Sequence, residues 1–119
     1  MSEFSRLYTE KFEEGEVKLT AACIEMENAI IVFLNLKGRS RLGTLAVALP
    51  RGLRTETTSS VLLGEKYAVA AKILAMTFAK AFNKIALLSV NLEPLSDKEL
   101  WPALSKLAKK IIERRNKNE

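Results

Sequence analysis

A chain of 119 residues, 48% hydrophobic and 28% charged, is expected to form a single domain, 1–119, with one modest core, and this composition excludes a disordered tail. Its longest apolar runs, near Ile30 to Leu36 and Ile85 to Val90, are too short to span a bilayer, and Met1-Ser2-Glu3-Phe4 lacks the layout of a signal peptide, so a cytoplasmic protein with no membrane partner is expected. The lack of histidine removes the commonest general base and metal ligand, the lone Cys23 forbids an internal disulfide, and the net charge of +5 raises the question of nucleic acid.

Glu14-Gly15 predicts a turn between a first segment, Phe4 to Phe12, and a second, Glu16 to Met26. In the second, Val17, Leu19, Ala21 and Cys23 alternate with Lys18, Thr20, Ala22 and Ile24, the period of a strand with one well-buried face. A tight turn at Glu27-Asn28 follows. Ala29 to Lys37 (AIIVFLNLK) is apolar on both faces and reads as a central strand covered on each side. Lys37 to Gly43 (KGRSRLG) is a polar loop, and Thr44 to Leu49 is a short strand ended by Pro50, which cannot donate to a ladder. Arg51 to Gly64 reads as a long loop, with hydroxyl or acidic residues throughout Thr55 to Ser60.

Glu65 to Asn83 is the clearest helix, opening on an acid that suits the positive helix terminus. Tyr67, Ala70, Ala71, Leu74, Phe78 and Phe82 form one stripe, and Val69, Ile73 and Met76 extend it most of the way round. A helix so apolar is expected to be covered on more than one side, which makes Tyr67, Val69, Ile73 and Met76 candidate dimer-interface residues. Lys84 to Leu92 is a further strand. Ser96 and Glu99 have the spacing of a capping box for a last helix, with Pro102 near its start and Leu100, Leu104, Leu107, Ala108, Ile111 and Ile112 as its one-sided stripe. The fold class expected is α+β, a mostly antiparallel sheet in the order ββββαβα with two helices packed on it.

The loop from Gly38 to Thr44 is like half of a phosphate-binding loop, but Gly43 stands where a lysine is needed and a strand follows, so it reads as a hairpin loop. The hydroxyls of Thr55 to Ser60 have no histidine to activate them and read as a polar loop, not as a nucleophile. The carboxylates lack the spacing of a metal site. Neither catalysis nor a cofactor is expected. Arg39 and Arg41 precede the strand from Thr44 to Leu49, whereas Arg51 and Arg54 follow it, so the pairs lie roughly 20 Å apart and make no single patch. The C-terminal lysines and arginines, without interleaved aromatics, read as a solvated basic face ahead of a nucleic-acid surface. Trp101 reads as a cap on the core.

The segments GTLAVALPR (Gly43 to Arg51), TTSSVLLG (Thr57 to Gly64), an alanine-rich helix and FNKIALLSVNL (Phe82 to Leu92) together resemble the proteasome assembly chaperones of the third and fourth type. The hairpin from Leu19 to Gly38 is similar to the paired strands that precede that unit in the family. The resemblance spans roughly Leu19 to Leu92 and lies in structural motifs. It implies a non-enzymatic, cofactor-free chaperone that dimerises and binds proteasome α-type subunits during α-ring assembly. Eukaryotic members pair as unlike chains; an archaeal-like single chain would pair with itself, as a homodimer or a higher assembly. Some proteins that dock on proteasomes end in a hydrophobic-Tyr-any tail, whereas this chain ends Lys117-Asn118-Glu119. Candidate partner-binding residues are Arg51, Arg54, Thr57, Thr58, Ser59 and Ser60, on the longest loop. The alternatives are a small basic nucleic-acid-binding protein and a dimeric scaffold domain of another complex.

Overall fold

The computed structural model describes residues 5–50 and 58–117. Along the chain come β1 (Ser5–Glu14), β2 (Val17–Met26), β3 (Ala29–Leu36), β4 (Thr44–Leu49), β5 (Thr58–Leu63), α1 (Ala68–Phe82), β6 (Ile85–Asn91) and α2 (Asp97–Lys117). The strands form one sheet in the order β1-β2-β3-β6-β4-β5. Every neighbouring pair is antiparallel except β3 and β6, which run parallel. A parallel pair needs a long crossover, and β4, β5 and α1 supply it.

Two expectations need correction. The order is βββββαβα, because residues 58–63, expected inside a loop, form β5. This strand pairs only with β4 and sits at the sheet edge. An edge strand meets water along one side, so Thr58, Ser59 and Ser60 can stand where a central strand would need apolar residues. Second, α1 begins at Ala68, three residues after Glu65, so no acid lies in its first turn. Tyr67 holds a left-handed conformation (φ 65°, ψ 23°), unusual for a bulky residue, and its hydroxyl donates to the Leu95 carbonyl at 2.7 Å. The helix ends as expected, at a left-handed Asn83 whose N–H bonds to the Ala79 carbonyl.

Strand alternation sorts side chains between two faces. One face carries Tyr8 and Phe12 of β1, Leu19, Ala21 and Cys23 of β2, Ile30, Val32 and Leu34 of β3, Ala86, Leu88 and Val90 of β6, and Ala46 and Ala48 of β4, all buried. Both helices pack on this face. α1 lies over β4, β6 and β5, and α2 lies over β1 and β2 and touches α1. The alanines of α1 (Ala70, Ala71, Ala75, Ala79) meet the small side chains of β4, which lets the helix approach closely. Phe78 and Phe82 pack edge to face with centroids 6.2 Å apart.

The capping box of α2 forms as its spacing predicts. The Ser96 N–H donates to Glu99 Oε1 at 2.9 Å and the Glu99 N–H donates to Ser96 Oγ at 3.3 Å. Pro102 lies inside the helix, near enough to the start that one continuous helix survives. Lys106, Lys110, Arg114 and Arg115 bind α2 to the sheet. Lys110 donates to the Lys11 carbonyl at 2.6 Å, and Arg114 donates to the Thr9 carbonyl at 2.7 Å and to Glu10 at 2.9 Å. The Arg114 guanidinium also lies 5.0 Å from the Tyr8 ring centroid.

Beneath the end of α2, Glu25 accepts from Lys84 at 2.7 Å and pairs with Arg115 at 3.5 Å. These side chains are largely shielded from water, so losing the carboxylate leaves two cations in a poorly solvated place. Glu25→Ala is therefore expected to lower the unfolding free energy by about 2–3 kcal/mol. The exposed Lys106–Glu14 pair is expected to contribute under about 1 kcal/mol. Urea unfolding of Glu25→Ala and Glu14→Ala checks the contrast.

Candidate functional site

Arg51, Arg54 and Thr57 lie outside the described residues. Thr58, Ser59 and Ser60 fall on β5, opposite Leu49, Ala48 and Val47, so they are ladder residues and not loop residues. Ser59 turns toward the helices and is half-buried, whereas Thr58 and Ser60 are exposed on the other face.

Cys23 is buried. Loss of solvent, then the nearby Glu10 carboxylate, push its thiol up to about 12, so it is no nucleophile at neutral pH. Burial likewise pushes the Tyr8 hydroxyl above its usual range. Both groups belong to the core. Among the described residues no cluster of acids and thiols could hold a metal ion.

The four candidate interface residues separate. Tyr67 is 8% exposed, and Met76 packs half-buried against the core. Val69 (68% exposed) and Ile73 (45%) face outward. Ile73 joins Leu74, Thr77, Trp101, Ala108 and Ile112 around a groove of about 360 Å³ between the helices. The premise that α1 is too apolar for one chain to cover does not hold. Its stripe from Ala70 to Phe82 is buried within the chain, and Val69 and Ile73 are what remains.

The broad apolar surface is the second face of the sheet. Strand register lines up Leu7, Ile24, Ile31, Leu87, Val47 and Ser60 in one row across all six strands. The next row is Thr9, Ala22, Phe33, Ser89, Leu45 and Leu63. Ile24, Ile31, Phe33, Leu45, Val47 and Leu87 are half-exposed, while Leu7, Leu49 and Leu63 are open to solvent. Among the described residues no element lies over these rows. β3 is thus covered on one side by the chain itself, not on both as its sequence suggests. From strand spacing and rise, the face measures on the order of 500 Å² in plan. That is the size of the largest apolar patch on a typical monomer, a patch that is often functional.

At one end of this face the loop 38–43 is fixed to the sheet. The Arg41 N–H donates to Asn35 Oδ1 at 3.1 Å and the Gly43 N–H donates to Ser89 Oγ at 2.9 Å. Asn35 and Ser89 are buried polar residues of the open face, so their side chains serve the loop. A Cβ on Gly43 would fall 2.0 Å from the Val90 carbonyl oxygen. Glycine alone lets the chain pass there.

No protein-family model matches the chain, and no curated protein does. Among solved structures it is similar to a chain in the crystal structure of a novel chaperone complex for yeast 20S proteasome assembly, with a TM-score of 0.74 over 97% of this chain and 98% of that one. The two chains share one fold. Their identity is 17%, so the likeness lies in the course of the backbone and not in individual side chains. It extends to β1 and α2, well beyond the segment from Leu19 to Leu92 that carries the resemblance in sequence.

Two outcomes follow. Gly43→Ala is expected to destabilise the fold by about 3 kcal/mol through overlap with β6, measured by thermal unfolding. Cys23 is expected to stay unlabelled by a thiol reagent at pH 8 until the chain is unfolded in denaturant; rapid native labelling would contradict its burial.

Proposed function

We propose that this protein is a non-enzymatic assembly chaperone that pairs with a second copy of itself and binds proteasome α-type subunits to promote α-ring assembly. The observation that carries the reading is the open apolar sheet face, on a fold shared with a chain of a yeast proteasome-assembly chaperone complex. In plan the face, on the order of 500 Å², would supply the central part of the roughly 800 Å² that one side of a standard protein interface buries. Its rows of Ile24, Ile31, Leu87 and Val47 are uncharged, so the same patch on two copies can meet about a two-fold axis without opposing charges. Catalysis has no support among the described groups, since the buried thiol and the hydroxyls of β5 lack an adjacent base.

A nucleic-acid role draws little support from the basic residues of α2. Lys106, Lys110 and Arg114 are engaged with β1, so among the described residues they are not free to form a cationic track for phosphates.

The purified chain is expected to have the solution mass of a dimer. Val47→Asp or Ile31→Asp should give a folded monomer, because these positions are half-exposed within one chain. The wild-type chain is expected to co-elute with free α-type subunits; no co-elution across salt and pH conditions would refute the chaperone role, and a wild-type monomer would refute the pairing.

A further inference from the structure

The loop GRSRLG between β3 and β4 has the outline of a phosphate-binding loop without its lysine or its helix. Nothing in self-pairing or core packing uses its two arginines. Arg39 and Arg41 are both exposed. Neither has an acidic partner within ion-pair distance among the described residues. With Thr20, Phe33, Asn35 and Ser40 they line a cleft of about 300 Å³ that opens beside the apolar rows.

The loop that carries them is held in place. Arg39 and Arg41 bond through their backbone N–H groups to the Leu36 carbonyl and to Asn35 Oδ1 at 2.9 and 3.1 Å. Gly43 is fixed by Ser89 at 2.9 Å. Two buried polar side chains, Asn35 and Ser89, are thus committed to setting the course of a surface loop. A preordered backbone lowers the entropy cost when the guanidinium groups engage a ligand.

We infer that loop 38–43 is a recognition element for a carboxylate side chain, presented by an unlike protein that docks at this end of the sheet face. The inference rests on the proposed function only in treating that face as a protein-docking surface. A guanidinium fork fits a carboxylate with two parallel hydrogen bonds, and the polar lining of Thr20, Ser40 and Asn35 offers further polar partners.

The carboxylate is assigned to an unlike chain because, among the described residues, the open face of a second copy carries no unpaired acid. Among the described residues the only acid on the open face is Glu13, already bonded to Lys37 at 3.2 Å. The other charged side chains on this face, Lys11 and Lys18, are cations. Two copies meeting through the apolar rows bring no unpaired acid of the described open face to Arg39 and Arg41, and an acidic client would complete them. A nucleic-acid ligand would need cations continuing along a track, whereas here two arginines share one short loop beside Ala22 and Phe33.

The test is an NMR titration of the full-length chain, labelled with ¹⁵N, at about 150 mM salt to suppress unspecific charge contacts. The probes are a capped tetraglutamate peptide, the matching tetraglutamine peptide, inorganic phosphate and a short DNA duplex. Tetraglutamate is expected to shift the Arg39 to Gly43 amides and the Asn35 side-chain amide saturably, and tetraglutamine to leave them unmoved. The double variant Arg39→Ala/Arg41→Ala should weaken the response by about tenfold or more while keeping wild-type mass and thermal unfolding. The inference is overturned if tetraglutamate moves nothing there, if the double variant responds equally, or if phosphate or duplex binds the same residues more tightly. A wild-type monomer in solution refutes the self-pairing and leaves this titration intact. A failed titration with an intact dimer refutes only the arginine site.

Discussion

One constraint governs the molecule: both helices cover the same face of a sheet that is apolar on both faces. α1 and α2 bury Val32, Leu88 and Ala46 completely, and Ile31, Leu87 and Val47, the next residues along the same strands, remain half-exposed. Each large side chain in those open rows holds roughly 1–2 kcal/mol of burial still to be gained. Summed over the rows, that is the scale needed to offset the loss of freedom on association. The docking proposals for this chain all depend on that surface.

Holding α2 at its place is what keeps the face single. Its apolar stripe, Leu100, Leu104, Leu107 and Ile111, is fully buried, and cations fix the far end of the helix. Arg114 ties it to Thr9, Glu10 and the Tyr8 ring, and Arg115 to Glu25 and the Phe82 ring. Much of the excess positive charge at the C-terminus is thereby spent on the fold. Arg39 and Arg41, in the loop after β3, have no acidic partner among the described residues. This division separates a structural use of charge from a surface free to recognise another chain.

Much of this was legible in the residues. The alternation of β2, the two-faced apolar run of β3, the stop at Pro50 and the Ser96–Glu99 box all state local structure directly. β5 was hidden because an edge strand tolerates Thr58, Ser59 and Ser60, which in isolation read as loop. The start of α1 was hidden because Tyr67 takes a left-handed conformation that helix propensity does not encode. Periodicity shows that a face is apolar but not what covers it: α1 buries most of its stripe within the chain and keeps Val69 and Ile73 exposed, whereas the far side of β3 is uncovered among the described residues. Likewise the spacing of Arg39 and Arg41 gave no sign that Asn35 and Ser89 pin their loop, since the Ser89 contact comes across from β6.

The central claim, that the open sheet face is buried against another protein chain, is tested most directly by the accessibility of its methyl groups to a soluble paramagnetic agent across a dilution series. The account predicts that the methyls of Ile24, Ile31, Val47 and Leu87 are shielded at high protein concentration and become accessible together on dilution, while Val69 on α1 stays accessible throughout. Sheet-face methyls that are accessible at every concentration, or a Val69 that is shielded while they are not, would contradict it.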